Sequence, residues 1–289
     1  MQDPIRELRF APSVRRESEK SIGASTRGHL SDAALERIEE SLPRTSSLPG
    51  IGRLLPESVA WHFPPDSGMD VAVVCLRDAA EYYQEARLAL HECRAGVEWY
   101  RVERDPPLPE TAVFVGRFYA DDVALRVYSS AEHLAAFLQA YLQIPDRKLK
   151  PYSRGRTSKA SQLGHYLMEN MHDHVVTRAV SEFVNDENCT FTLNYRNKWV
   201  HEERPRIGGL GLVWKRERRW KTRGKQRTLG FGQGDPPDLD FDELEESVSG
   251  GLEALARLLD ELYAVFFRDL NGVLDIRETD SGVEIVHQL

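Results

Sequence analysis

The chain reads as an all-α protein: an antiparallel up-and-down helical bundle of four to five helices with an inserted basic β-hairpin and a short extended C-terminal tail. Three observations predict this. Apolar residues recur at three- and four-residue steps through several long stretches, the period of an amphipathic helix. Strand-like runs are confined to residues 207–231 and to the last few residues. The connections are short, which makes sequential helices spatial neighbours.

Residues 1–67 form an N-terminal arm, partly irregular, with seven prolines between Pro4 and Pro65 among Ser and Gly clusters. One short helix fits residues 31–42, with Ser31 as its cap, Ala33, Leu35 and Ile38 on one face, and Pro43 as its stop. The bundle is expected over 68–270. Its first helix covers 71–93, with Val71, Val74, Cys75, Tyr82, Ala86, Leu90 and Cys93 as its stripe. The proline-rich breaker 105–109 precedes a second, carrying Phe114, Phe118, Leu125, Leu134, Phe137, Leu138 and Tyr141, with a division at Ser129-Ser130.

A basic connection, 148–158, leads to a third helix with Leu163, Tyr166, Leu167, Met171, Val175, Ala179 and Phe183 on one side. The polar cluster 185–188 ends it. A further helix must stop by about Arg204, because Pro205 removes a donor and disfavours helix before itself. Within the basic insertion, 207–231, the runs 210–215 and 226–231 read as hairpin strands. The closing helix starts at Asp240 or Asp242 and is striped by Leu244, Val248, Leu252, Leu255, Leu259, Leu262 and Phe266. Gly250-Gly251 is its liability, at about 1 kcal/mol per glycine relative to Ala. The tail, 271–289, ends in a weakly alternating run, 283–287.

Composition fits an ordinary globular protein, with 289 residues, 41% of them hydrophobic and 29% charged. No stretch approaches the roughly 18 unbroken apolar residues of a membrane span, so no membrane partner is expected. The first residues carry acids and no apolar run, unlike a secretory signal or a transit peptide, which points to the cytoplasm. Three widely spaced cysteines, Cys75, Cys93 and Cys189, suit a reducing compartment and match no zinc spacing. The net charge of −8 argues against nucleic acid, but its distribution does not: residues 196–227 hold twelve cations against three acids. A polyanion would bind there first.

Within that region stands Tyr195-Arg196-Asn197-Lys198-Trp199-Val200-His201. An Arg, a polar residue directly after it and a His beyond four intervening positions, set between the third and the final helix of a bundle, resemble the signature of the HEPN family (higher eukaryotes and prokaryotes nucleotide-binding). The resemblance covers roughly residues 68–270. It implies metal-independent endoribonuclease activity without a cofactor, in which the ribose 2′-hydroxyl attacks the adjacent phosphate and leaves a 2′,3′-cyclic end. It also implies a homodimer whose two motifs line one groove, and a role as a toxin or in phage defence, with an antitoxin or defence-system partner.

The residue types suit that chemistry. Arg196 is the candidate to hold the phosphate and its developing charge in a bidentate fork. His201 is the candidate general acid or base, since an imidazole titrates near neutrality. Residues five apart on an ideal helix lie about 140° apart around the axis, so Arg196 and His201 are expected on different faces. Asn197, four before His201, is placed to orient the imidazole or to contact substrate. One motif helix then makes a poor cleft, and a second copy is needed.

Lys198 and Tyr195 are further candidates for RNA contact, Tyr195 and Trp199 by stacking on a base or packing the interface. Arg218, Arg219, Lys221 and Arg223 in the hairpin are candidates because clustered cations release counterions from a phosphate backbone. Plainer readings stand beside these: Arg196 pairs with an acid on a neighbouring helix, His201 merely ends its own, and the acids of 235–246 neutralise the hairpin. His165, His172 and His174 do not share a helical face, so no metal site is expected. Neither a Walker-type loop nor a nucleophile elbow is present.

Overall fold

The computed structural model describes residues 30–52, 59–63, 67–102, 109–153, 158–201, 205, 207–208, 217–223, 226–232, 238–271, 274–279 and 282–287, and the chain is mostly helical. In order come α1 (Asp32–Ser41), α2 (Leu48–Ile51), β1 (Val59–His62), α3 (Met69–Val102), α4 (Pro109–Tyr141), α5 (Asp146–Leu149), a 3-10 turn (Lys150–Ser153), α6 (Lys159–Asn170), α7 (Val175–Asn185) and α8 (Glu187–His201). There follow β2 (Ile207–Gly208), β3 (Glu217–Arg223), β4 (Gln226–Gly232), β5 (Leu239–Asp240), α9 (Phe241–Asn271), β6 (Leu274–Thr279) and β7 (Gly282–His287).

Helices α3 and α4 pack along their whole length in opposite directions, Gly68 beside Ala140 at one end and Gly96 beside Gly116 at the other. Small residues permit this. A Cβ on Gly96 would stand 2.8 Å from the Gly116 nitrogen, and Ala79, Ala86, Ala120, Ala124 and Ala131 are all buried. The core stripe of α3 is therefore Ala72, Val73, Leu76, Ala79, Ala80, Tyr83, Ala86, Leu90 and Cys93. Val71 and Val74, expected in it, stand exposed. Phe114 and Phe118 of α4 are also outside, because the alanines opposite them make the closer fit to α3. No division occurs at Ser129-Ser130: Ser129 Oγ donates to Leu125 O within the helix, and Ser130 Oγ to Ala79 O across to α3.

The expected third helix is two. Met171 caps α6, and a turn intervenes in which Thr177 Oγ1 donates to Met171 O at 2.7 Å. The His174 ring accepts from Val176 N at 3.3 Å and so caps α7, while His172 and Asp173 lie exposed. A polar His-Asp-His run reads as a histidine cluster in sequence and acts as a helix stop and start in space.

Asp186 then makes the next corner. Its own N–H closes α7 on Phe183 O, its carboxylate accepts from Cys189 N at 3.0 Å to open α8, and its second oxygen receives Arg257 from α9 at 3.1 Å. Along α9 the expected stripe, Leu244 to Phe266, is wholly buried. Gly250-Gly251 is the crossing point with α8: a Cβ on Gly251 would lie 2.6 Å from Thr192 Oγ1, and one on Gly250 2.4 Å from Asn188 Nδ2. What costs helix propensity thus admits a neighbouring helix.

Part of the N-terminal arm belongs to the core. Ser31 caps α1 as expected, Leu42 and Ile51 are buried, and Tyr83 and Arg87 donate to Pro43 O. Asp260 of α9 accepts from Thr45 Oγ1, from Ser46 N at 3.3 Å and from Ser47 N at 2.9 Å.

Three small pairings complete the described chain. β1 runs parallel to β7, which is antiparallel to β6, so the C-terminal tail forms two strands rather than one. β2 pairs with β5, Ile207 with Leu239 and Gly208 with Asp240, which brings the two ends of the basic insertion together at the start of α9. Inside it, β3 and β4 pair antiparallel from Glu217 opposite Gly232 to Arg223 opposite Gln226. The expected run 226–231 falls within β4, whereas the expected run 210–215 lies outside the described residues. No described helix is long and apolar enough to cross a membrane.

Candidate functional site

Helix α8 turns Cys189, Thr192 and Tyr195 inward, three residues apart, and ends at His201, four residues before Pro205. This fixes what the motif presents. Tyr195 is buried, with its hydroxyl bonded to the Asp121 carboxylate of α4. The expectation that it touches RNA is thereby corrected: it lies one position inside the surface turn and anchors α8 to α4. Trp199 is half-buried, and Lys198 and His201 are exposed.

Arg196 and His201 come together, against the expectation from ideal helical angles. Arg196 Nη1 lies 3.4 Å from His201 Nε2 and donates to Asn197 Oδ1 at 3.1 Å. The angles describe Cα positions, whereas the arginine chain is long enough to run along the helix toward its C-terminus. Asn197 accordingly orients the guanidinium; the expected bond from Asn197 to the imidazole is replaced by this one. At 3.4 Å the contact with Nε2 is long, and Nε2 accepts from the guanidinium in the tautomer that leaves this nitrogen unprotonated.

A third group completes the site. The Arg196 guanidinium carbon sits 3.8 Å from the centre of the Tyr128 ring, on α4. Sequence reading missed Tyr128 because it is far upstream of the motif and sits among ordinary helix-forming residues; only the packing of α4 on α8 brings it there. Burial raises the Tyr128 phenol, Glu132 adds to the rise, and Arg196 opposes it, so the ring is neutral at physiological pH. Among the described residues Arg196 has no carboxylate partner, and its Nε is buried without a hydrogen bond. The plainer reading therefore divides: His201 is the last residue of α8, but among the described residues Arg196 pairs with no acid.

The remaining candidates lie elsewhere. Arg218, Arg219, Lys221 and Arg223 are on β3, paired with Phe231, Gly230, Thr228 and Gln226 of β4. His165 is on α6, away from the His172–His174 turn, and no group of three metal-ligating residues exists among the described residues. Burial, with Asp186 adding to it, pushes the Cys189 thiol up to about 12, and burial raises Cys93 and Cys75 too, so none is a ready thiolate nucleophile.

Compared with known proteins, the chain matches no family model, no curated protein and no solved structure.

Proposed function

We propose that this chain is a metal-independent endoribonuclease of the HEPN type, an up-and-down helical bundle with an inserted basic hairpin, acting in the cytoplasm as a toxin or phage-defence effector. The single observation that carries the reading is an arginine with no acid partner among the described residues, held with its Nη1 3.4 Å from the imidazole of the same motif. A cation left uncompensated beside a proton-transfer group is what phosphoryl chemistry requires.

In this reading a scissile phosphate takes the open side of Arg196. The 2′-hydroxyl loses its proton and attacks phosphorus, forming the new O–P bond as the bond to the 5′-oxygen breaks. His201 moves one of the two protons, to or from the reacting oxygens. The motif of one copy supplies one imidazole, so a homodimer that brings two motifs to one groove supplies the second proton carrier. Lys198, Arg218, Arg219, Lys221 and Arg223 hold the flanking backbone, and an antitoxin or defence partner restrains the enzyme.

The test is incubation of the purified protein with RNA in EDTA. Cleavage to 2′,3′-cyclic ends that disappears in both Arg196→Ala and His201→Ala supports the reading; undiminished cleavage by the His201 variant removes its assigned role. A strictly monomeric protein by light scattering would overturn the composite groove. A second reading, a silent HEPN bundle acting as a binding or dimerisation module, is favoured by Phe114 and Phe118, stacked at 6.2 Å and exposed by 63% and 52%. A dimer that cleaves no RNA would decide for it.

A further inference from the structure

We infer that Tyr128 is the positioning residue of the motif: its ring holds Arg196 flat so that the guanidinium edge stays available to an oxyanion. The inference rests on the ribonuclease reading for the identity of that oxyanion, an RNA phosphate, but its geometry stands by itself.

A guanidinium can be held in two ways. A carboxylate grips its edge, consumes two donors and neutralises the charge. An aromatic ring grips its face, leaves the donors in the plane untouched and keeps the charge whole. Arg196 is held in the second way, 3.8 Å above Tyr128. Only Nη1 is engaged at the edge, by Asn197 and His201, and among the described residues Nη2 has no partner. The positive charge is thus fixed in place without being cancelled.

Tyr128 itself is rigidly mounted. Its neighbours Val127, Ala124 and Ala131 are buried against the core, so α4 cannot roll. One turn on, Glu132 accepts from Lys159 N at 2.9 Å and Ala160 N at 3.1 Å, tying α4 to the start of α6. The platform is a feature of the core and the arginine is the mobile partner: unsupported, its long chain would sample many rotamers at a helix surface. The hydroxyl plays no part in this argument, so phenylalanine should serve as well.

The experiment uses the full chain and three variants, Tyr128→Phe, Tyr128→Leu and Tyr128→Met. An Nε–H buried over a ring exchanges slowly and is shifted upfield by the ring current, so Arg196 should give a displaced side-chain signal in a 1H–15N spectrum, assigned by its loss in Arg196→Lys. The signal should persist in Tyr128→Phe and collapse to the ordinary arginine position in Tyr128→Leu and Tyr128→Met, whose backbone dispersion reports that they are folded. Binding of a non-cleavable 2′-O-methyl oligoribonucleotide should weaken about five- to tenfold in the two aliphatic variants and within twofold in Tyr128→Phe. In an Arg196→Ala background the Tyr128→Leu change should cost no more affinity.

A displaced signal that survives in Tyr128→Leu and Tyr128→Met overturns the inference, and so does an equal loss of affinity with and without Arg196. If the oligonucleotide does not bind at all, the ribonuclease reading falls, and the Arg196 signal alone decides the role of Tyr128.

Discussion

Two arginines at two places in the molecule show what distinguishes a structural cation from a candidate functional one. Arg94, where α1, α3 and α9 meet, spends its donors on the protein: Nε on Glu245 at 2.7 Å, Nη2 on Ser249 at 2.9 Å, Nη1 on Ser41 O and Oγ at 2.9 and 2.8 Å. Arg196 is about as well placed by its surroundings but, among the described residues, engages only Nη1, and it is held by a ring where Arg94 is held by an acid. Both are partly covered, so exposure does not separate them. Their partners do, since a donor bonded to the protein cannot also bind a ligand.

The largest effect should come from exchanging these two cations for alanine. Arg196→Ala is expected to lower the RNA cleavage rate by about a thousandfold, as loss of a preorganised charge donor does, and to leave the melting temperature nearly unchanged. Arg94→Ala should do the reverse, costing about 1–2 kcal/mol after allowance for its partial exposure while cleavage per folded molecule persists. Denaturation curves and cleavage assays on both proteins would break the comparison if the two effects changed places.

Next in size is the helix crossing beneath the motif. Gly251→Ala places a methyl group against buried Thr192 and the Asn188 carbonyl, and should destabilise the fold by about 1–3 kcal/mol despite its better helix propensity. Gly250→Ala meets the Asn188 side chain from Nδ2 at 2.4 Å down to Cβ at 2.8 Å, and since Cβ is fixed to the backbone and cannot swing away, it should destabilise by a similar amount. Urea midpoints unchanged from the parent in both variants would mean that α8 and α9 do not cross at this point.

A smaller effect is expected from the hairpin. Replacing Arg218, Arg219, Lys221 and Arg223 by Ser should reduce the slope of log affinity against log salt by up to about 3, at roughly 0.7 for each single-strand phosphate contact. Lys198→Ala should reduce it by less than one such step. An unchanged slope in the fourfold variant would remove the hairpin from the interface.

The smallest effect is on pH dependence at the docked N-terminal segment. Burial raises the Asp260 carboxyl, but hydrogen bonds from the Thr45 and Ser47 hydroxyls and from the Ser46 and Ser47 amides outweigh it, and the net shift is down from 3.8. A depressed carboxyl adds stability above its unfolded value and loses it as the pH falls through the folded one. Urea midpoints should therefore fall below about pH 4 by more in the parent than in Asp260→Asn, which has already lost that increment. Identical acid profiles would show that Asp260 does not hold the segment.

How much of this was legible in the sequence varies with the range of the forces involved. Helical class, the Ser31 cap, the stripe of α9 and the end of α8 before Pro205 depend on residues a few positions apart, and periodicity and capping report them directly. The stripes of α3 and α4 were misphased at Val71, Val74, Phe114 and Phe118, because alanine-rich faces pack more closely than larger side chains and periodicity weights size over fit. The His-Asp-His turn misled for a related reason: the bonds that make it a helix boundary come from backbone groups that composition does not reveal.

At the candidate site, the sequence by itself determined that an arginine, an asparagine and a histidine share one helix, spaced as in the HEPN signature. Only the tertiary structure decided which of their neighbours face outward, burying Tyr195 on Asp121, and that the guanidinium bends to the imidazole over Tyr128. A helix fixes the directions of its own side chains. The groups that meet their far ends are set by the next helix, and no local pattern encodes that encounter.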